Sequence, residues 1–188
     1  PEWAVSKLGS AGQPPIFSDT RIVNTENQPV ACGERGEICL RGPNIMKGYW
    51  NRPDATAAAI DSEGWFHSGD IGYVDADGFL FICDRLKDMV ISGGENVYPA
   101  EVEGVLYKHE AIAEVAVIGM PDEKWGEAVT AIVALNEGCT LTIEELREFA
   151  GEHLARFKLP LRLELVDALP RNPAGKVLKF VLKEQMAD

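Results

Sequence analysis

The order of helices and strands predicted after residue 98 limits the possible folds of this chain more than any other feature. A helix comes first, with Pro99 in its opening turn, where a missing N–H is tolerated. Two apolar strands follow, and Thr142 with Glu145 predicts the capping box of a second helix. A further strand and a short last helix complete the series. The segments, in chain order, are "PAEVEGVLYKH", "IAEVAVIGMPD", "EAVTAIVAL", "TIEELREFAGEHLARF", "LRLELVDAL" and "KVLKFVLKEQM". This order predicts a compact α+β layer fold.

Residues 16–83 have a different character, with short strand-like stretches between turns. A hairpin is predicted around "DADG", because Asp and Gly accept the positive φ that such turns need. A short helix is predicted over "RPDATAAAI", which has Pro53 at its start. Because composition and element length change near residues 83–88, we predict a small β-rich subdomain over 1–84 and a compact α+β domain over 85–188.

The overall charge limits the classes of partner. The chain has 188 residues, 46% of them hydrophobic and 26% charged, with a formal net charge of -12. No nucleic-acid partner is expected, because phosphate backbones select for basic surfaces. A small anionic ligand is compatible with this charge, since a few cations and backbone N–H groups are enough to bind it. No apolar run approaches the roughly 18 residues of a membrane helix, so no integral membrane segment is expected.

The cysteines and histidines are scattered along the sequence. They are Cys32, Cys39, Cys83, Cys139, His67, His109 and His153. No two cysteines form a C-x-x-C pair, so the spacing predicts no metal site. We expect reduced thiols in a cytoplasmic protein.

Two short polar stretches in the middle of the chain carry candidate binding groups. "GWFHSGD" ends at Asp70, whose carboxylate could accept hydrogen bonds from the two hydroxyls of a ribose. A solvated turn aspartate is the alternative. In "DRLKD", Arg85 could donate a forked pair of hydrogen bonds to a ribose or phosphate oxygen. Alternating charges in a turn are otherwise simply solvated.

Two further stretches contain glycine. In "SGGENVYP", Gly93 and Gly94 would let the backbone approach a ligand closely, or would form a tight loop before a helix. In "PRNPAGK", Lys176 could reach an anion as a point charge, or be an ordinary surface lysine. This stretch is not a P-loop, because the G-x-x-x-x-G-K-[ST] spacing is absent and Val177 follows the lysine.

Taken in order, these stretches resemble the adenylate-forming superfamily of acyl- and aryl-CoA synthetases, peptide-synthetase adenylation domains and luciferases. The resemblance covers nearly the whole chain. It runs through "GSAGQP", "GERGEICLRGPNIMKGYWNRPDAT", "GWFHSGDIGYVDADGFLFICDRLKDMVISGGENVYPAEVE" and "PRNPAGK". "DRLKDMVISGGENVYP" is most similar to the fatty-acid–CoA ligase type. The resemblance implies that a carboxylic acid, in the first instance a fatty acid, is joined to AMP with ATP and is then transferred to CoA.

The resemblance also implies roles for single residues. Asp70 falls at the position that holds the AMP ribose hydroxyls, and Arg85 at a second ribose contact. Lys87 falls at the hinge about which the C-terminal domain swings between the two half-reactions. Lys176 falls at the catalytic lysine that contacts carboxylate and phosphate oxygens during adenylation.

The glycine stretch has an implied role in the second half-reaction. Gly93, Gly94 and Glu95 fall on the loop that faces the pantetheine tunnel of CoA after the swing. ATP and CoA are therefore the implied ligands. Mg²⁺ is implied as well, bound mainly by an N-terminal domain and by no residue of this chain.

Two motifs of the family are absent from the sequence. They are the phosphate-binding loop of the form T-S-G-T-T-G-x-P-K-G and the Y-G-x-T-E motif. The resemblance therefore implies that 1–84 ends a large N-terminal adenylation domain and that 85–188 is its mobile lid. We expect this fragment alone to be inactive, with the N-terminal domain of the same polypeptide as its partner. The alternatives are a ligase for an aromatic or short-chain acid, and a non-catalytic stand-alone interaction module with a lid-like fold.

Overall fold

The computed structural model describes residues 3–186, apart from the side chain of Ala4, and the chain divides into two compact units. The first is Pro1–Lys87 and the second is Asp88–Asp188. The first unit is β-rich and the second mixes helices with strands, so the predicted α+β fold class is confirmed. The roles of residues 1–84 and 85–188 as the end of one domain and a mobile lid stay predictions.

The first unit is built on a five-stranded antiparallel sheet, in the order β1-β5-β4-β3-β2. Its elements are α1 (Trp3–Ser6), β1 (Ser10–Gly12), β2 (Asp19–Val23), β3 (Gly36–Arg41), α2 (Pro53–Ala59), β4 (Phe66–Val74) and β5 (Leu80–Arg85). A small core of Val23, Cys39 and Trp65 lies against this sheet.

The predicted hairpin in "DADG" is confirmed, and it joins β4 to β5. One carboxylate oxygen of Asp75 accepts the N–H groups of Asp77 and Phe79, at 3.0 and 2.9 Å. Gly78 has a φ of +80°, which a side chain would disfavour. The turn therefore fixes where β5 begins and which residues pair next to it, Val74 with Leu80 and Tyr73 with Phe81.

The second unit contains the predicted helix–strand–strand–helix–strand–helix series. Its elements are β6 (Val90–Ser92), β7 (Glu95–Val97), α3 (Pro99–Leu106), β8 (Ile112–Asp122), β9 (Gly126–Leu135), α4 (Ile143–Gly151), β10 (Arg162–Leu165) and α5 (Lys179–Gln185), with a 3₁₀ turn at Arg156–Lys158. A further 3₁₀ turn, Leu86–Asp88, contains the last residues of the first unit and the first residue of the second. β9 pairs antiparallel with β8 along most of its length. It also pairs parallel with β10 and meets β6 at one position, Ser92 opposite Gly126.

Alternate residues of β8 and β9 face two different cores. Val117, Val129 and Val133 belong to a core with residues of α3 and α4. Ile118 and Ile132 belong to a second core with Leu182 of α5 and Leu169. Both faces of the β8–β9 pair are thus covered, which explains why these strands are nearly continuous apolar runs instead of alternating ones.

The second unit's longer helices begin at the signals seen in the sequence. Pro99 occupies the first turn of α3. At α4, the Glu145 N–H donates to the Thr142 hydroxyl at 3.2 Å, and the Thr142 N–H donates to the Glu145 carboxylate at 2.8 Å. This confirms the predicted capping box. The Thr142 backbone and hydroxyl donors hold the pKa of Glu145 below its ordinary value.

Within residues 3–186, every helix is too short or too polar to extend across a bilayer.

Candidate functional site

Asp70 and Arg85 stand opposite each other on β4 and β5 and form an ion pair. The Arg85 Nε lies 2.9 Å from the Asp70 Oδ1, with the arginine side chain about half exposed and the aspartate one-quarter exposed. The structure therefore brings together the two residues predicted to contact a nucleotide ribose. A carboxylate and a guanidinium on adjacent strands can accept from and donate to the same small polar ligand.

A β-bulge decides which residue faces Asp70. Val74 pairs with Leu80, and Tyr73 with Phe81, so regular pairing would continue to Asp70 opposite Asp84. The register shifts between Ile71 and Gly72, and Asp70 instead faces Arg85. The bulge thus replaces a like-charge pair, which is unfavourable between strands, by an ion pair.

The β4 backbone just before Asp70 is held by polar side chains. The Gly69 N–H donates to the Glu37 carboxylate at 3.1 Å, and the Asp70 N–H donates to the Ser68 hydroxyl at 3.0 Å. Gly69 has a φ of +69°. These contacts fix the backbone from which the Asp70 side chain projects.

Pairing between β3 and β4 also gathers three residues that are scattered in the sequence. One ligand atom from each of Glu37, Cys39 and His67 lies within 4.8 Å of the others. The His67 Nδ1 is 2.8 Å from the Glu37 carboxylate and 3.5 Å from the Cys39 sulfur. Burial, with the Glu37 charge adding to it, raises the pKa of the Cys39 thiol to about 11. The sulfur is therefore a protonated thiol at neutral pH. That this chain holds no metal stays a prediction.

All four cysteines lie within the described residues, and none of them forms a disulfide.

Lys87 lies in the 3₁₀ turn Leu86–Asp88, is exposed, and is the last residue of the first compact unit. The chain therefore passes from one unit to the other at the residue predicted to be the hinge.

Gly93 and Gly94 form the two-residue turn of a hairpin between β6 and β7, with Ser92 paired to Glu95. Their φ values are +61° and +84°. Positive φ at both central residues is the requirement of a type I′ turn, which explains the double glycine locally. The structure thus forms a tight turn here, and the close approach of a ligand to its backbone stays a prediction.

The glycine turn is fastened to the turn between β8 and β9. The Gly93 N–H donates to the Trp125 carbonyl oxygen at 2.8 Å. A Cβ at Gly93 would lie 2.8 Å from the Trp125 ring, closer than real Cβ contacts, whereas one at Gly94 would meet nothing within 4 Å. Glycine is therefore required at position 93 both by the neighbouring Trp125 ring and by the positive φ. Glu95 is exposed beside the turn, at the start of β7.

A cavity of about 380 Å³ lies next to this turn, lined by Ser92, Trp125, Arg147, Arg156, Phe157 and Leu161. It combines two aromatic side chains with two guanidinium groups. These residues were not predicted from the sequence, because they come from five separate segments. The one available signal was a tryptophan in the short turn between two predicted strands.

Lys176 ends a compact loop before α5. The Asn172 side-chain oxygen accepts the N–H groups of Ala174 and Lys176, at 3.0 and 2.9 Å. The Asn172 N–H donates to the Lys176 carbonyl oxygen at 2.9 Å, and Gly175 has a φ of +82°. These hydrogen bonds fix the backbone of Lys176. The residue is exposed, so its side chain faces solvent.

Comparisons with known proteins match most of the chain to one enzyme family. Residues 1–50 match the AMP-binding enzyme family and residues 101–176 match the AMP-binding enzyme C-terminal domain. The chain is 50% identical to a 2-succinylbenzoate–CoA ligase of Geobacillus sp. (strain WCH70), over 98% of this chain and 37% of that protein. It is 49% identical to a long-chain-fatty-acid–CoA ligase of Mycobacterium tuberculosis, over 98% and 36%.

The fold comparison gives the same result. The o-succinylbenzoate CoA synthetase of Bacillus subtilis, solved with its acyl-adenylate intermediate, superposes with a TM-score of 0.86 and 42% identity. The match covers 100% of this chain and 37% of that chain. The chain thus spans little more than a third of the length of its relatives. It belongs to the AMP-binding, adenylate-forming enzyme family and corresponds to the C-terminal part of its members.

Proposed function

We propose that the complete protein is an acid–CoA ligase. In its first half-reaction the carboxylate oxygen attacks the α-phosphorus of ATP, giving acyl-AMP and pyrophosphate. In the second, the CoA thiol attacks the acyl carbon, giving acyl-CoA and AMP. One observation carries the proposal: a chain that is 50% identical to a CoA ligase over 98% of its length also brings Asp70 and Arg85 together, through a bulge between β4 and β5.

The nucleotide is assigned to Asp70 and Arg85. The Asp70 carboxylate accepts hydrogen bonds from the ribose hydroxyls, which are donors of matching spacing. Arg85, which lies against this carboxylate, donates to a neighbouring ribose oxygen. Mg²⁺ is assigned mainly to the N-terminal domain of the same polypeptide, as the resemblance to adenylate-forming enzymes implies.

Lys176 is assigned to the adenylation step. Negative charge grows on the α-phosphate oxygens and on the leaving pyrophosphate as the acyl phosphate bond forms. A cation on a backbone that is already ordered stabilises this charge without rearrangement in the transition state.

The glycine turn and its neighbouring cavity are assigned to CoA. Gly93, Gly94 and Glu95 would flank the pantetheine arm, where bare backbone lets a thin chain pass. The cavity beside them offers the rings of Trp125 and Phe157 to a base and guanidinium groups to phosphates, which together match the nucleotide end of CoA.

Residues 88–188 are proposed to be a lid that moves about Lys87 between the two half-reactions. The substitution Lys87→Pro fixes φ at this residue. It is therefore expected to slow one half-reaction selectively in the complete protein, while Lys87→Ala, which leaves the backbone unrestricted, serves as the matched control. Pyrophosphate exchange and thioester formation from supplied acyl-AMP are measured separately. Unchanged rates in both assays would remove Lys87 from the hinge.

A fatty acid is the proposed substrate, and an aromatic acid is the second candidate. Relatives named for either class match this chain almost equally, at 49% and 50% identity. The complete protein, which we place in the cytoplasm, is to be incubated with ATP, CoA and a panel of aliphatic and aromatic acids, and acyl-CoA is measured by mass spectrometry. We expect one class to give product and the isolated 188-residue chain to give none. A well-folded complete protein without product from any acid would favour the stand-alone interaction module.

A further inference from the structure

We infer that two carboxylate–arginine pairs at opposite ends of β8 position the two reactive loops separately. Glu114 with Arg171 positions the Lys176 loop, and Asp122 with Arg162 positions the glycine turn. Each half-reaction thereby has its own positioning pair. The inference rests on the proposed function.

Both oxygens of the Glu114 carboxylate hold the segment that leads into the Lys176 loop. One oxygen accepts the Leu169 N–H at 3.1 Å, and the other lies 2.8 Å from the Arg171 Nη2. The Arg171 Nη1 in turn donates to the Gly175 carbonyl oxygen at 2.7 Å. The hydrogen bond from the Leu169 N–H and, to a smaller extent, the contact with Arg171 hold the pKa of Glu114 below its ordinary value. The carboxylate is therefore charged at neutral pH.

This contact acts on the peptide bond next to the lysine. The carbonyl oxygen that Arg171 engages belongs to the Gly175–Lys176 peptide. Gly175 has a positive φ and no side chain to restrict its backbone, so this peptide could rotate easily. The hydrogen bond from the guanidinium restricts that rotation. Loss of Glu114 would release the Arg171 fork and let the Lys176 backbone reorient.

Asp122, at the other end of β8, holds the turn between β8 and β9 in the same manner. One carboxylate oxygen accepts the N–H groups of Lys124 and Trp125, at 3.0 and 3.1 Å. The other oxygen lies 2.8 Å from the Arg162 Nη2 on β10. The Trp125 carbonyl oxygen accepts the Gly93 N–H, so the β8–β9 turn that Asp122 shapes holds the glycine turn between β6 and β7.

The strand between the two pairs separates them. Positions 114 and 122 are roughly 26 Å apart along a strand that rises about 3.3 Å per residue. The intervening Ala116, Val117 and Ile118 are buried between the two cores. Effects at sites this far apart, with no shared partner, are additive and independent.

The partial exposure of both pairs makes them suitable for substitution. The side chains of Glu114 and Arg171 are 31% and 42% exposed, and those of Asp122 and Arg162 are 21% and 43% exposed. Ion pairs of this kind add little to stability, so removal of one carboxylate should leave the unit folded. Reacting groups displaced by a fraction of an ångström nevertheless lose rate.

The test compares Glu114→Ala with Asp122→Ala in the complete protein, each variant serving as the control for the other. Acid-dependent pyrophosphate exchange measures adenylation, and acyl-CoA formation from supplied acyl-AMP measures the thioester step. Glu114→Ala is expected to lower exchange about tenfold and to leave thioester formation within about twofold. Asp122→Ala is expected to give the reverse pattern.

Two conservative variants distinguish positioning from general damage. Glu114→Gln and Asp122→Asn keep one oxygen for the backbone N–H groups and lose the charge and the acceptor that faces the arginine, so we expect smaller losses with the same selectivity. They also replace the alanine variants if those fail to fold. Equal losses of both half-reactions, or no loss in either, would overturn the inference. Wild-type protein inactive in both assays would instead overturn the proposed function, and the inference with it.

Discussion

Replacement of Lys176 by alanine in the complete protein is expected to lower the rate of acyl-adenylate formation by about two to three orders of magnitude. The loop backbone around Lys176 is held by Asn172 and Arg171, and neither contact uses the lysine side chain. The substitution should therefore remove a cation and leave the loop in place. Charge on the reacting phosphate would then lose a fixed partner in the transition state.

The second half-reaction provides the internal control for this substitution. Transfer of a preformed acyl-AMP to CoA does not expel pyrophosphate, so Lys176→Ala should leave thioester formation near the wild-type rate. Lys108→Ala, at another exposed lysine of the same unit, should change neither step. Equal losses in both steps would show that Lys176 acts on the fold and not on adenylation.

Replacement of Leu106 by alanine is expected to destabilise the second unit by about 3 kcal/mol. Leu106 ends α3, is fully buried, and belongs to the core that α3 and α4 form with β8 and β9. Its removal leaves a cavity that surrounding valines and leucines cannot fill without moving. Both proposed reactive loops lie on this unit, so its local stability bears on both half-reactions.

Hydrogen exchange of the β9 amides measures this effect separately from the first unit. The matched control is Leu165→Ala, since Leu165 lies on β10 and is 53% exposed. We expect a change of about 0.5 kcal/mol or less for the control. Comparable effects of the two substitutions would contradict the description of this core.

The elements predicted from the sequence are those whose signals are local. The capping box of Thr142 and Glu145 and the turn at Asp75 each depend on residues within five positions of one another. The helix and strand series of the second unit follows from apolar runs that are long enough to be recognised as helices or strands. Predictions of this kind need no knowledge of which strands pair.

The parts that could not be predicted depend on pairing between distant strands. The Asp70–Arg85 pair requires a bulge, because regular register would have placed Asp70 opposite Asp84. The gathering of Glu37, Cys39 and His67 requires β3 and β4 to be neighbours. The positioning contacts of Glu114 and Asp122 have arginine partners 57 and 40 residues away. Supporting residues of a site are thus harder to predict than the residues they support.

The double glycine illustrates the difference at one position. Its two residues predict a turn or a close approach of a ligand, and both follow from the absence of a side chain. That Gly93 also fits beneath the Trp125 ring depends on the β8–β9 turn, whose Trp125 is 32 residues further along the chain.

The most direct test of the account is the exchange of labelled pyrophosphate into ATP by the complete protein, without CoA, in the presence of single carboxylic acids. We predict exchange that depends on the acid and is lost in Lys176→Ala, because acyl-AMP forms reversibly on the protein. A well-folded complete protein that shows no exchange with any acid would contradict the assignment of Asp70, Arg85 and Lys176 to acid activation.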